Sequence, residues 1–288
     1  MSVALAASVL QKTPANAGSS TADLTVLPPP APPPAPPPAP VKFTPPLIAK
    51  LTQIFRFATD PPDARAIGLK YQNVGQRRST PRHLVTLPAL LRYQTSAPDL
   101  TSPSGVLDVA QGGYFIYLAV DSASGQAANE VEVTNVIHNN DGSRSPGSYR
   151  FASSGDGQHT EGTQDILNAL AVLADMDEVK KGSYEPRYFQ CGTVPRPGMF
   201  YAVWLRSPKG DADLVYTLSP MFDKSSTLLP FGLKARTLYK AADFNDTIRA
   251  TREADIKAEA AGQASAYVIE NSHPGGVHQT QSVPDAVK

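Results

Sequence analysis

The stretch GYFIYLAVD, Gly113 to Asp121, carries apolar side chains at consecutive positions rather than at alternate ones. Because neighbouring side chains of a strand point to opposite faces of a sheet, this pattern predicts a strand that is covered on both faces. A second stretch of this kind, MFYAVWLR at Met199 to Arg206, holds the single tryptophan, Trp204. A tryptophan in an apolar strand is typical of a core anchor. The sequence therefore predicts a fold built around a buried sheet.

Four further stretches complete the predicted sheet: residues 83–95, which Pro88 interrupts, and residues 130–137, 184–191 and 212–218. The third strand, Glu130 to Ile137, is half exposed by its alternation and should pair with its predecessor through the loop around Gly125. Pro208 to Asp211 has the composition of a hairpin loop. Hairpins join antiparallel strands, so we expect about six mostly antiparallel strands, arranged as one sheet or as a compact sandwich.

Three helices are predicted around these strands. The first begins after Thr44, with Pro45 and Pro46 in its first turn, and ends at Asp60; the second begins after Thr163 and ends near Lys181. Residues 238–266 form the third, a polar C-terminal helix with a thin apolar side, which we expect to pack weakly or to protrude. Residues 63–81 and 143–162 are expected to be irregular. Together these elements predict one α+β domain.

Composition divides the chain into four parts. Residues 1–41 hold eleven prolines between Pro14 and Pro40 and no aromatic residue, which is typical of a disordered leader. Its section Pro28 to Pro40 alternates proline triplets with alanine and predicts a semi-rigid polyproline spacer, or alternatively a ligand for an aromatic groove. A globular domain is expected at residues 42–235, the C-terminal helix at 236–270 and a disordered tail at 271–288.

The first twenty residues leave the cellular location open. Ala15, Asn16 and Ala17 form a pattern that signal peptidase could cleave, yet no basic residue precedes the short apolar run Val3 to Leu10. This balance favours a cytoplasmic chain, with export as the alternative.

Composition also excludes several classes of function. The 26 basic and 26 acidic residues give a formal net charge of zero, which argues against nucleic acid as the partner. No apolar run is long enough for a membrane span. The single cysteine, Cys191, is interpreted as a small buried residue rather than a nucleophile.

One loop has the residues of a catalytic or metal site. Asp156, His159 and Glu161 lie close together in sequence, just before Thr163 and the second helix. A histidine beside two carboxylates can move a proton or ligate a metal ion, although no regular element supplies a fourth ligand. Phosphate-loop, dinucleotide, nucleophile-elbow and HExxH motifs are not found, so no cofactor is expected.

These observations favour a non-catalytic interaction or assembly module, presented on the proline-rich spacer, that meets a protein partner through the spacer or the C-terminal helix. One alternative is a hydrolase or metal-dependent enzyme that uses Asp156, His159 and Glu161. The other alternative is an exported or translocated effector.

Overall fold

Nine strands and five helices are formed in the computed structural model, which describes residues 41–75, 83–95, 101–139, 143–156, 160–192, 200–220 and 226–261. The helices are α1 (Pro45–Ile54), α2 (Pro62–Gly75), α3 (Thr160–Leu173), α4 (Asp177–Lys180) and α5 (Ala241–Ala260). The strands are β1 (Leu84–Thr86), β2 (Leu90–Thr95), β3 (Gln111–Asp121), β4 (Ala127–His138), β5 (Arg144–Asp156), β6 (Glu185–Cys191), β7 (Phe200–Arg206), β8 (Leu214–Thr217) and β9 (Leu238–Lys240). The α+β class is confirmed, whereas the expected number of about six strands is too low.

All nine strands belong to one sheet, in the order β5-β4-β3-β2-β6-β7-β8-β9, with β1 pairing beside β2 on β3. Strands β2 and β6 run parallel, and every other described pairing is antiparallel. The predominantly antiparallel arrangement is thus confirmed. Of the two expected arrangements, one sheet or a compact sandwich, the structure has one sheet. All described residues lie within one structural unit, residues 36–288.

The two faces of the sheet are covered by different helices. Face A, the side that carries Leu118 of β3 and Val203 of β7, packs against α1, α3 and α4 in one continuous core. Face B, the opposite side, has two separate cores. In one, α2 packs on β3 and β4 around Tyr117; in the other, α5 packs on β6, β7 and β8 around Phe200. The sheet is therefore the middle layer between two layers of helices.

Strand β5 corrects the expectation of an irregular loop at residues 143–162. Its glycine- and serine-rich sequence pairs with β4 over its length, with register shifts that mark two irregularities. Two aromatic side chains hold the strand to the domain: Phe151 stacks on Tyr71 of α2 with ring centroids 4.2 Å apart, and Tyr149 meets Phe115 edge-on. Tertiary packing of two aromatics outweighs the weak strand propensity of the other residues.

Helix α2 corrects the expectation of an irregular basic segment for residues 63–75, whereas residues 76–81 lie outside the described residues. Its buried side is small and short, with Ala64, Ile67 and Tyr71 against face B. Gly68 permits this approach, because a Cβ atom there would lie 2.5 Å from Cδ2 of Tyr117. Few large apolar residues are needed where a glycine lets the helix backbone come this close.

The ends of two other helices also differ from expectation. Helix α1 ends at Ile54 rather than at Asp60, because Phe55 takes an extended backbone, is buried and bridges to Tyr184. The second predicted helix begins at Thr160, so Thr163 lies inside it and does not cap it, and the following turn separates α3 from α4.

The C-terminal helix is anchored more firmly than its sequence predicts. Residues 238–240 form β9, which pairs with β8, and the helix begins only at Ala241. Phe244 and Ile248 are fully buried against face B, whereas Ile256 is exposed. The expectation of weak packing is therefore wrong for the first half of α5.

Candidate functional site

The structure leaves the predicted loop site only partly described. Asp156 is the last residue of β5 and Glu161 lies in the first turn of α3, whereas His159 lies outside the described residues. The prediction that these three groups form a site therefore remains a prediction. Thr163 is fully buried, and its hydroxyl donates a hydrogen bond of 2.7 Å to Glu130 on β4. This bond ties the start of α3 to the sheet.

A polar cluster interrupts the apolar packing of face A where α3 begins. We call it the Arg92 cluster, and its members are Arg92, Gln94, Glu132, Ser153 and Gln190. The guanidinium of Arg92 donates to Glu132 on β4 and, with its other terminal nitrogen, to Gln94 and Gln190. The hydroxyl of Ser153 donates 3.1 Å to the second oxygen of Glu132. One arginine thus links β2 to β4, across β3, and to the adjacent strand β6, and its carboxylate partner Glu132 continues the link to β5.

Aromatic rings surround the Arg92 cluster. The guanidinium lies 5.3 Å from the ring centroid of Tyr114, whose hydroxyl is 3.2 Å from Nε2 of His138. Beside it, Tyr188 and Tyr201 stack with centroids 5.4 Å apart. Burial raises the pKa of Tyr188 well above its usual value, and the neighbouring Tyr201 and Glu130 add to this rise; burial also raises the pKa of Tyr201. Both phenols therefore stay neutral at physiological pH.

The Arg92 cluster has the geometry of a tie between strands rather than of a reactive centre. The side chains of Arg92 and Glu132 are only 18% and 9% exposed, and both oxygens of Glu132 accept hydrogen bonds. A guanidinium and a hydroxyl that occupy both oxygens of one carboxylate hold the strands that carry them in fixed positions. Within the described residues, the Nε atom of Arg92 is buried without a hydrogen-bond partner.

The most accessible element of the sheet is the edge formed by β5. The strand has 13 residues and, across the described parts of the chain, pairs with β4 alone, whereas the opposite edge, β9, has three residues and leads into α5. Pro146, Arg150 and one irregularity of register lie in its first half or at its middle, and the other irregularity lies between Phe151 and Ser153. Its second half includes the exposed residues Ala152, Ser153 and Ser154. This half therefore presents small side chains and an open backbone edge.

Several other residues of reactive, charged or aromatic type have structural contacts. Cys191 is fully buried, as expected, and burial raises the pKa of its thiol, which suppresses the nucleophilic thiolate. Asp175 is exposed and accepts a 2.5 Å hydrogen bond from Lys50, which lowers its pKa. Of the basic residues at 63–82, Arg65 and Lys70 lie on α2. Trp204 is buried and donates 2.8 Å to Asp213, consistent with a core anchor.

Two kinds of feature are absent from the described residues. No three histidine, cysteine, aspartate or glutamate side chains there are grouped so that they could hold a metal ion. No helix in the same parts of the chain has the length and apolar character that crossing a membrane requires.

Sequence reasoning missed the Arg92 cluster and the β5 edge. A signal for the cluster existed: Arg92 interrupts an apolar strand, and Glu130 and Glu132 alternate on another. Opposite charges on two strands of one sheet indicate a pair once the strand order is known, but the order itself was not predicted. No protein-family model, curated protein or solved structure matches this chain.

Proposed function

We propose that this chain is a non-catalytic interaction or assembly module, and that its partner-binding element is the open edge of the sheet at β5. The observation that carries the proposal is a 13-residue edge strand with exposed Ala152, Ser153 and Ser154 in its second half. An unpaired strand edge offers a row of backbone donors and acceptors to another extended segment, which adds to the sheet as a further strand.

The packing behind β5 supports this role. Phe151 is held by Tyr71, and the hydroxyl of Ser153 by Glu132, so the strand is fixed from the helix layer and from the adjacent strand. An edge fixed in advance loses little conformational entropy when a partner binds. In this proposal, the proline-rich residues 28–40 serve as the spacer that their sequence predicts.

A test of the proposal should alter the β5 edge rather than remove the C-terminal helix. Removing residues 238–288 would delete β9 and the buried Phe244 and Ile248, so it would damage the core together with any partner site. Two lysines at the edge, Ala152→Lys with Ser154→Lys, add charge where a partner strand would pair and leave the core intact. The matched control, Ala242→Lys with Ala250→Lys, adds the same charge at exposed positions of α5.

The full-length chain and these two variants should be used to recover partners from the cells in which the chain is native, with quantification by mass spectrometry. We expect the control to recover the same proteins as the unaltered chain and the edge variant to lose them by roughly tenfold or more, at an unchanged melting temperature. Equal recovery by all three chains would overturn the proposal.

A further inference from the structure

We infer that the sheet carries a second binding site, for a neutral oligosaccharide, on face A where the parallel strands β2 and β6 end. Four side chains form this site, which we call the Gln94 platform: Tyr114, Gln94, Gln190 and Tyr201. The inference goes beyond the proposed function, because the platform lies on a face of the sheet and the proposed partner site lies on its β5 edge.

The order of the strands favours ligand binding at this end of the sheet. After β2 the chain continues to β3 on one side, and after β6 it continues to β7 on the other, so two parallel neighbours lead away in opposite directions. In open sheets, ligands bind outside the carboxyl ends of parallel strands at such a switch point. Gln94 and Gln190 are directly paired, and each is the last but one residue of its strand.

The helices that cover face A stop before they reach the platform. On β2, Leu90 is buried in the face A core, whereas Arg92, the next residue on that face, is only partly buried. On β7, Val203 is fully buried and Tyr201 is only partly buried. Residues 101–110, the described part of the connection after β2, pack against α5 on face B instead. Among the described residues, the platform is therefore accessible.

Arg92 fixes the direction of both glutamine side chains. Its guanidinium donates to Oε1 of Gln190 and, over 3.3 Å, to Oε1 of Gln94. Arginine has no acceptor, so only the oxygen of each amide can face it, and the NH2 groups point away from the guanidinium. An amide nitrogen only donates, so the platform is suited to a ligand that is rich in oxygen acceptors. Because these side chains are held in advance, little conformational entropy is lost on binding.

The charges beneath the platform favour an uncharged ligand. The positive charge of Arg92 is balanced by Glu132, whose two oxygens both accept hydrogen bonds. An anion would have to displace Glu132, and a cation would have to displace Arg92, and either would leave a partly buried charge without its partner. The phenol of Tyr201 is neutral as well, because burial raises its pKa.

Two tyrosine rings complete the chemistry of the platform. Tyr114 lies on β3 and Tyr201 on β7, three strand spacings apart, which is about 14 Å across the sheet. A sugar ring has apolar C–H groups that pack on an aromatic ring and hydroxyl oxygens that accept hydrogen bonds from amides. A row of rings and amides of this length fits several linked sugar units rather than one. These properties together match a short, neutral oligosaccharide.

Isothermal titration calorimetry of the full-length chain tests the inference with four neutral sugars: cellohexaose, maltohexaose, xylohexaose and N-acetylchitohexaose. We expect at least one of them to bind with a dissociation constant between about 10 µM and about 1 mM. Inorganic phosphate in excess over the sugar should not compete, because the charge of Arg92 is already balanced. Binding of none of the four sugars, or displacement of the sugar by phosphate, would overturn the inference.

Substitutions then locate the sugar on the molecule. Tyr114→Ala removes a ring and Gln94→Leu removes an amide donor, and each should weaken binding by roughly tenfold. Tyr114→Phe keeps the ring and should bind within about threefold of the unaltered chain. The matched control is Gln126→Leu, because Gln126 is also partly buried but lies just before β4, at the other end of β3. If Tyr114→Ala lowers the melting temperature, Gln94→Leu decides, and undiminished binding by that variant would overturn the inference.

The edge variant Ala152→Lys with Ser154→Lys separates this inference from the proposed function. Both lysines lie on β5, away from the platform, so this variant should bind the sugar as the unaltered chain does. Loss of protein partners with sugar binding intact supports two separate sites. Sugar binding that is lost only in the edge variant would show that the platform is not the site.

Discussion

Replacing Arg92 by methionine removes the cation that joins β2 to β4 and β6 and keeps most of the side-chain volume. Glu132 is then left with Ser153 as its remaining partner in a place where its side chain is 9% exposed. Removing one partner of a buried pair costs about 3–5 kcal/mol, because the other charge stays buried without compensation. Since the side chain of Arg92 is 18% exposed, we expect the lower end, about 3 kcal/mol, or roughly 6–12 °C in melting temperature for a domain of this size.

The single tryptophan provides the assay. Trp204 is 3% exposed and its indole nitrogen donates to Asp213, so its fluorescence should report unfolding in urea. Arg249→Met is the matched control, because the ion pair of Arg249 with Asp246 on α5 is far more exposed, 35% and 66%. An exposed pair contributes little, and we expect this control to change the free energy of unfolding by less than about 1 kcal/mol.

The double variant Arg92→Met with Glu132→Met separates the charge from the packing. It removes both charges, so it should be more stable than Arg92→Met alone by about 1 kcal/mol or more. The reasoning would be refuted if Arg92→Met cost less than about 1 kcal/mol, or if the second substitution added its own full cost to the first.

Three further predictions concern single buried groups. Burial and Asp60 raise the pKa of Tyr117 above its usual 10.0, so this tyrosine ionises first in the unfolded chain and the folded state loses stability as the pH rises through 10. Tyr117→Phe should reduce this loss by up to about 1.4 kcal/mol per pH unit, measured by urea unfolding between about pH 8 and 11. An unchanged dependence of the free energy of unfolding on pH would contradict this prediction. A thiol reagent should label Cys191 only after unfolding, since the thiol is buried, and rapid labelling of the native chain would show that it is accessible. Gly113→Ala should lower the free energy of unfolding by about 2 kcal/mol or more, because Gly113 has φ 110° and a Cβ there would lie 2.3 Å from Cγ2 of Val136. Gly162→Ala, which has free space in α3, should raise it by up to about 1 kcal/mol. Equal shifts in melting temperature for the two variants would refute this account.

The elements that could be predicted from the sequence are those whose own residues are apolar enough to indicate burial. The strand around Gly113 to Asp121 and the strand that holds Trp204 are apolar enough to be recognised alone. Strand β5 and helix α2 depend on each other, through Phe151 and Tyr71, and neither segment has enough apolar surface to indicate its structure in isolation. Contacts between residues distant in sequence determine the secondary structure of both segments, and the local sequence pattern of either segment does not show these contacts.

The candidate surfaces were harder to predict than the fold, for a related reason. An edge strand is defined by what does not pair with it, so β5 becomes an edge only when the order of all nine strands is known. The Arg92 cluster likewise requires that β2, β4 and β6 be placed within reach of one side chain. The parallel pairing of β2 with β6 sets that arrangement, and hairpin signals predict only antiparallel neighbours.

This parallel pairing also has a consequence for how the chain is made. Strands β1 to β5 join one another through antiparallel neighbours, as do β6 to β9, and β2 with β6 is the seam between the two groups. Leu91 pairs with Arg187, 96 positions later, and closing a flexible loop of that length costs about 4 kcal/mol of chain entropy. During synthesis the first group of strands emerges before β6. Until β6 pairs with β2, this group has two open edges, β2 and β5, and afterwards it has only the β5 edge. The nascent chain is therefore most prone to aggregation between the completion of β5 and the arrival of β6.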